Sequence, residues 1–219
     1  MDNGRMAGLI DWDAIEDRGR NLERVTTWSD PKSILRAVAD QYMLDPWRRQ
    51  PYYVEVWIEK EALISVISGI CDEWRVPHFA CKGYASQSEV WGAGHGRFRS
   101  AIARDKTPVV IHLGDHDPSG IDMTRDIEER LCLFAEGQVE VRRLALNMDQ
   151  VEEHQPPPNP AKSTDARFRS YYEEFGDESW ELDALEPQVI ADLIGDEIQG
   201  MIESDSWRAS RSTSAPCGS

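Results

Sequence analysis

Residues 109–123 read VVIHLGDHDPSGIDM. The first five form an almost wholly apolar run, the composition of a strand covered on both faces in a parallel sheet. After Gly114, two aspartates, Asp115 and Asp117, stand either side of His116. Two readings compete for them. In the mechanical one a strand ends, the chain turns and a helix starts. Asp117 is then an N-cap, Pro118 suits the first helical position, and Ser119-Gly120 tolerate the turn. In the chemical one, carboxylates two apart in extended chain point to the same side and grip a metal ion. The capping reading accounts for Asp117, Pro118 and Gly120 and leaves Asp115 without a reason. Asp117 can do both jobs.

The flanking sequence gives the fold class. Tyr53–Ile58 (YVEVWI) reads as a strand, and Leu63, Val66, Ile67, Ile70 and Trp74 recur at helical spacing, predicting a helix over about Glu61–Arg75. Phe79–Cys81 reads as a short strand closed by Lys82-Gly83. Ser86 or Ser88 starts a second helix, which GAGHG (residues 92–96) is expected to break before it resumes over Phe98–Arg104. Ile121, Thr124, Ile127, Leu131 and Phe134 line one helix face, with Gly137 fitting the C-terminal cap. Val139, Val141, Leu144 and Leu146 predict a fourth strand. Strand and helix therefore alternate, which implies an α/β fold: a mostly parallel sheet of about four strands flanked by helices, with helical N- and C-terminal extensions. Function in such folds collects at the carboxyl ends of the strands.

The expected organisation is a helical N-terminal extension over 1–51, the α/β domain over 52–148, a Pro-rich connector and C-terminal helices over 149–208, and a disordered tail over 209–219. In the extension, Ser29 or Asp30 caps a helix with Pro31 in its first turn, running through Ile34, Leu35, Val38 and Tyr42. Near the C-terminus, helices are expected around Phe168–Phe175 and over about Pro187–Ile202. The chain has no secretory signal pattern and no apolar run long enough to cross a bilayer, so a cytoplasmic location and no membrane partner are expected. The four cysteines, Cys71, Cys81, Cys132 and Cys217, form no C-x-x-C pair and read as reduced thiols rather than zinc ligands. The net charge of -16 repels nucleic acid unless positive charge is concentrated locally or a divalent cation offsets it. It argues against a non-specific DNA coat protein and not against a metal-dependent nuclease.

Glu59 follows directly on YVEVWI, so it belongs at a strand carboxyl end, as Asp115 and Asp117 do. If the two strands are neighbours, all three acids meet in one crevice. Hard oxygen donors at that density suit Mg²⁺ or Mn²⁺, which keep several waters and accept a phosphate oxygen. With Glu59 in register, the metal reading outweighs the cap alone.

WIEKEAL (57–63), then Lys82-Gly83-Tyr84, then GDHDPSGIDM (114–123) is similar to the motif series of the Toprim domain shared by topoisomerases, primases and several nucleases. The motifs most resemble those of the type IIB topoisomerase A subunit and its meiotic recombination relative. The resemblance covers about Tyr53–Leu146. Residues 150–200 look like the C-terminal part of stand-alone Toprim proteins of phages and mobile elements. The resemblance implies that Glu59 is a metal ligand or general acid/base and that Asp115 and Asp117 are the metal-binding pair. It further implies that Gly120 allows close approach at the helix start, and that Lys60 and Lys82 contact phosphate. Two departures stand beside it. Residues 1–51 are too short for the winged helix that carries the nucleophilic tyrosine in DNA-breaking relatives, although GLIDWDAIEDRGR (8–20) looks like the tail of such a region. Ala85-Ser86-Gln87 also replaces the family's proline and threonine-arginine pattern. A complete topoisomerase is not expected.

Other features weigh less. Arg97, Arg99, Arg104 and Lys106 form a basic cluster, of which Arg97 and Arg99 are candidate phosphate contacts. Arg142-Arg143 with Lys162, Arg167 and Arg169 form a second strip. His112 reads as a core residue, and His116 points away from its flanking aspartates by alternation. Glu181 and Asp183 are either further members of the acidic site or ordinary helix N-terminal acids. The expected function is a Mg²⁺- or Mn²⁺-dependent, nuclease- or nicking-type protein acting on phosphodiesters, with DNA first and RNA second as substrate. The alternative is a non-catalytic module that binds metal, DNA or a partner protein supplying the missing winged helix. A D-x-D phosphatase is a weaker fit, because Ser119 stands where that family carries Thr or Val.

Overall fold

The structure, a computed structural model, describes residues 29–35 and 45–207. The chain divides into two compact units, Met1–Met43 and Leu44–Ser219. In the first, residues 31–35 are helical, and Asp30 Oδ1 accepts the Ser33 N–H at 2.8 Å as the N-cap. The remainder of that expected helix, with Val38 and Tyr42, lies outside the described residues, as does the expected tail.

The second unit is an α/β layer structure, as the alternation implies. Four parallel strands, β1 (Tyr52–Ile58), β2 (His78–Ala80), β3 (Thr107–Leu113) and β4 (Glu140–Ala145), pair in the order β2-β1-β3-β4. The connecting helices are α1 (Ile64–Trp74), α2 (Gln87–Trp91), α3 (Arg99–Ile102) and α4 (Pro118–Ala135). They are followed by α5 (Met148–His154), α6 (Phe168–Phe175) and α7 (Pro187–Gly200).

Strand alternation splits the core in two. Val54, Val56, Ile58, Val109, Ile111 and Leu113 face one side, where Ile67 and Cys71 of α1 and Ile190, Ile194 and Ile198 of α7 cover them. Trp57 and Val110 face the other, against Val90, Ala93, Phe98, Met123, Ile127 and Leu131. Both faces of β1 and β3 are thus buried, which is why they read as continuous apolar runs. The C-terminal helices are therefore part of this body, since α7 covers one sheet face. Residues 45–50 join it too: Trp47 packs edge-on to Trp207 at 5.5 Å, and Gln50 Oε1 accepts the Glu203 N–H at 2.8 Å. Among the described residues no helix is long and apolar enough to cross a membrane.

Two local expectations are corrected. GAGHG does not break the helix. Gly92–Phe98 winds as a wide π-helical segment joining α2 to α3, and the Arg99 N–H reaches back five residues to the Gly94 carbonyl. Gly94 allows this by close approach: a Cβ there would lie 2.6 Å from Phe134 Cβ and 3.2 Å from the Ala135 N of α4. The cap of α4 is also one residue early. Glu136 takes the left-handed conformation at φ 54°, while Gly137 leaves room for Ile102, whose Cδ1 would be 2.9 Å from an added Cβ.

Gly94→Ala is expected to lower stability by about 1–3 kcal/mol through overpacking. Gly96→Ala, with nothing within 4 Å of the new methyl, should be neutral or stabilising. Urea midpoints measure both; equal midpoints would show that the approach to α4 does not depend on Gly94.

Candidate functional site

β1 and β3 run side by side with Ile58 opposite Leu113, so Glu59 and Gly114 are the first residues past the same sheet edge. The Glu59 N–H donates to the Leu113 carbonyl at 2.8 Å, and the Gly114 N–H to the Ala145 carbonyl at 2.8 Å, extending the ladder. The Glu59 side chain lies across the empty face of Gly114, where a Cβ would be 2.9 Å from Oε2. A side chain at this position would push the Glu59 tip aside. The crossing brings Oε2 onto the Asp115 N–H at 3.0 Å.

The two aspartates are anchored differently. Asp117 Oδ1 accepts the Gly120 N–H at 2.6 Å and caps α4, with Pro118 in the first turn. Gly120 is forced here: a Cβ would stand 2.2 Å from the Asp115 carbonyl oxygen. Asp115 Oδ1 accepts the Leu182 N–H at 2.8 Å and lies 3.4 Å from the Lys60 ammonium. Each of the three carboxylates therefore spends one oxygen on a backbone N–H. Among the described residues, no hydrogen bond falls on Glu59 Oε1, Asp115 Oδ2 or Asp117 Oδ2.

Electrostatics follow from this crowding. Burial pushes the Glu59 carboxyl up, and the charges of Asp115 and Asp117 add to it against the Asp115 N–H and Arg143. Burial also raises Asp115, opposed by the Leu182 N–H and Lys60. Arg143, from β4, is the counterweight. Its Nη2 donates to the carbonyls of Gly114, Asp115 and Leu146 at 3.2, 2.7 and 3.0 Å, and its Nη1 to Gly120 O at 2.9 Å and Thr124 Oγ1 at 3.2 Å. Burial brings its pKa down to about 10 against the attraction of the three acids, so it stays charged at neutral pH.

The histidines flanking this turn are structural. His112 is fully buried, its Nδ1 2.8 Å from Thr124 Oγ1, and burial with the Arg143 charge pushes it down to about 3, so it is neutral. His116 turns away from the aspartates into an aromatic box. Its Nδ1 is 2.8 Å from the Tyr171 hydroxyl, and Phe175 and Trp180 stand edge-on to its ring at 4.7 and 5.7 Å. Burial lowers it to about 4. His116 and Trp180 exchange backbone hydrogen bonds at 2.8 and 3.0 Å, which ties residues 178–185 against the acidic turn. Next to them, Asn159–Pro160, within the expected Pro-rich connector, and Glu178–Ser179, beyond α6, pair as two short antiparallel strands.

Each of the four basic residues singled out for phosphate contact has an acidic partner. Lys60 donates to Glu181 Oε2 at 2.8 Å and Asp183 Oδ1 at 2.9 Å. Lys82 lies 3.0 Å from Glu61, and Arg99 2.8 Å from Glu136. Arg97 makes a two-point contact, at 2.6 and 3.0 Å, with buried Glu55, which also accepts from Tyr53 and Trp57. Of the second strip, Arg142 pairs with Glu140 and Glu197, while Arg143 turns inward instead of lining a surface. Three participants escape a reading by spacing: Arg143, the Leu182 N–H, and Gly114 as a crossing point. Glu181 and Asp183 join the acidic region through Lys60.

Among the described residues, no group of three or more His, Cys, Asp or Glu side chains is arranged so that it could hold a metal ion as it stands. The chemistry of the donor set nevertheless fits a hard divalent cation, since three partly desolvated carboxylates each keep one oxygen. No family model and no curated protein matches the chain.

Arg143→Met would orphan several carbonyls of the turn and is expected to cost about 3 kcal/mol, read as a lower urea midpoint. An unchanged midpoint would contradict its role. Glu59 gives a pH prediction. A carboxyl whose folded pKa is raised destabilises the fold when ionised; the penalty is full above the folded pKa and is lost as pH falls from there through the unfolded value. Glu59→Gln should therefore raise the urea midpoint at pH 7, with the gain shrinking as pH falls toward the ordinary glutamate value of 4.5. A wild type more stable than the variant at pH 7 would refute the raised pKa.

Proposed function

We propose that this protein is a Mg²⁺- or Mn²⁺-dependent phosphodiesterase of Toprim type that nicks nucleic acid, with DNA as the first substrate and RNA as the second. The observation that carries this reading is the meeting of Glu59, at the end of β1, with Asp115 and Asp117, at the end of β3. Asp115 and Asp117 would hold the cation, each having an oxygen that takes no backbone hydrogen bond. Bound there, the divalent ion supplies Lewis-acid stabilisation of phosphate charge and offsets the chain's own negative field. Glu59, raised by burial and by its neighbours, accepts and returns the proton of the attacking and leaving oxygens. Arg143 stays charged beneath the turn and keeps the acids in place without touching substrate.

A second reading, a module that binds metal or a partner without cleaving, is favoured by the acidic partners of Lys60, Lys82, Arg97 and Arg99. The test is nicking of supercoiled plasmid and cutting of single-stranded DNA and RNA, with Mg²⁺, Mn²⁺ or chelator. Glu59→Gln, Asp115→Asn and Asp117→Asn should each slow nicking about 100-fold or more. Metal binding with no cleavage of any substrate selects the second reading. Cleavage that persists undiminished in all three variants overturns the site.

A further inference from the structure

Lys60 follows Glu59 directly, yet its ammonium serves the C-terminal segment. It sits 2.8 Å from Glu181 Oε2 and 2.9 Å from Asp183 Oδ1, and farther, at 3.4 Å, from Asp115 Oδ1. Between those two acids, Leu182 is fully buried, and its N–H donates to the same Asp115 oxygen at 2.8 Å. Leu185 and Trp180 on either side are buried as well. The segment is thus pinned by its apolar residues, while its two acids, about half exposed, reach out to the lysine. Lysine is a compact charge on a flexible four-carbon stem, suited to moving between neighbouring seats. Three carboxylates around one ammonium leave that spot negative even with Lys60 in place.

We propose that Lys60 is a movable counter-ion of the acid pair. It neutralises Asp115 in the metal-free protein and withdraws wholly onto Glu181 and Asp183 when a divalent cation binds, so residues 181–183 set the metal affinity of a site more than sixty positions upstream. The inference rests on the metal reading above and adds a regulating element to it. Lys60 is then a positioning and charge-balancing residue rather than a phosphate contact. Glu181 and Asp183 act through Lys60 and are not ligands. The competition is reciprocal by linkage: whatever favours Lys60 on Asp115 weakens the metal by the same factor.

The experiment is calorimetric titration of Mn²⁺ into the full chain and three variants: Lys60→Met, the pair Glu181→Gln with Asp183→Asn, and all three substitutions together. Lys60→Met should bind Mn²⁺ about tenfold tighter, and the double variant about tenfold weaker because Lys60 loses its second seat. The decisive arm is the triple variant. If the two acids act only through Lys60, removing them from a chain without Lys60 changes little, and the triple variant matches Lys60→Met. Additive effects would mean that all three act as independent charges. A triple variant far weaker than wild type would mean that Glu181 or Asp183 binds the metal directly. Either result overturns the counter-ion proposal and leaves the metal site standing. The metal reading itself fails separately, if wild type shows no Mn²⁺ binding that Asp115→Asn abolishes.

Discussion

The acidic turn of this protein depends on the inward-turned guanidinium of Arg143. It gathers carbonyls of Gly114, Asp115, Gly120 and Leu146 around one positive charge. With those carbonyls turned in, the N–H groups of Asp115 and Gly120 are free to receive carboxylates, and Glu59 and Asp117 take them. Carbonyls inside and carboxylates outside are two consequences of the same cation. A planar fork with several donors in fixed directions can do this; a lysine at the same place cannot.

The site balances charge with one fixed and one flexible cation. Arg143 is locked beneath the turn, while Lys60 reaches over it from the loop after β1. Burial disfavours the lysine charge, but its bonds to Glu181 and Asp183 and the charge of Asp115 outweigh that and raise its pKa. Even so, Glu59 and Asp115 keep raised pKa values, so the folded chain carries an unrelieved electrostatic cost at one sheet edge. Concentrating like charge at the expense of stability is the usual mark of a binding or catalytic site. Elsewhere several buried or half-buried acids are matched locally, as Glu55 is by Arg97 and Asp122 by Arg125 and Arg167.

What could be read from the sequence was local or periodic. VVIHL and YVEVWI announced strands buried on both faces, Asp117-Pro118 announced a helix start, and the ends of those strands brought Glu59 toward the aspartates. What could not be read depended on contacts between distant segments. Arg143 looks like half of a solvent-facing Arg pair, because alternation in β4 does not reveal which face meets the turn. The Leu182 N–H reaches Asp115 only through the pairing of Trp180 with His116, and backbone groups carry no sequence signal. The glycines of residues 92–96 look like a helix breaker, yet Gly94 serves close packing on α4, and packing overrides propensity there. Lys60 and Lys82 read equally well as phosphate contacts or as paired surface charges. Only the placement of Glu181, Asp183 and Glu61 gives each a partner.

The central claim is that Asp115 and Asp117, with Glu59 beside them, form a site that would hold a divalent cation. The most direct measurement is anomalous diffraction from crystals of the full chain soaked in Mn²⁺. The account predicts a manganese peak at the Asp115 and Asp117 carboxylates, beside Glu59, with the Lys60 ammonium drawn away from Asp115. A map with no peak at that turn, or with manganese bound only at other acids, would contradict it.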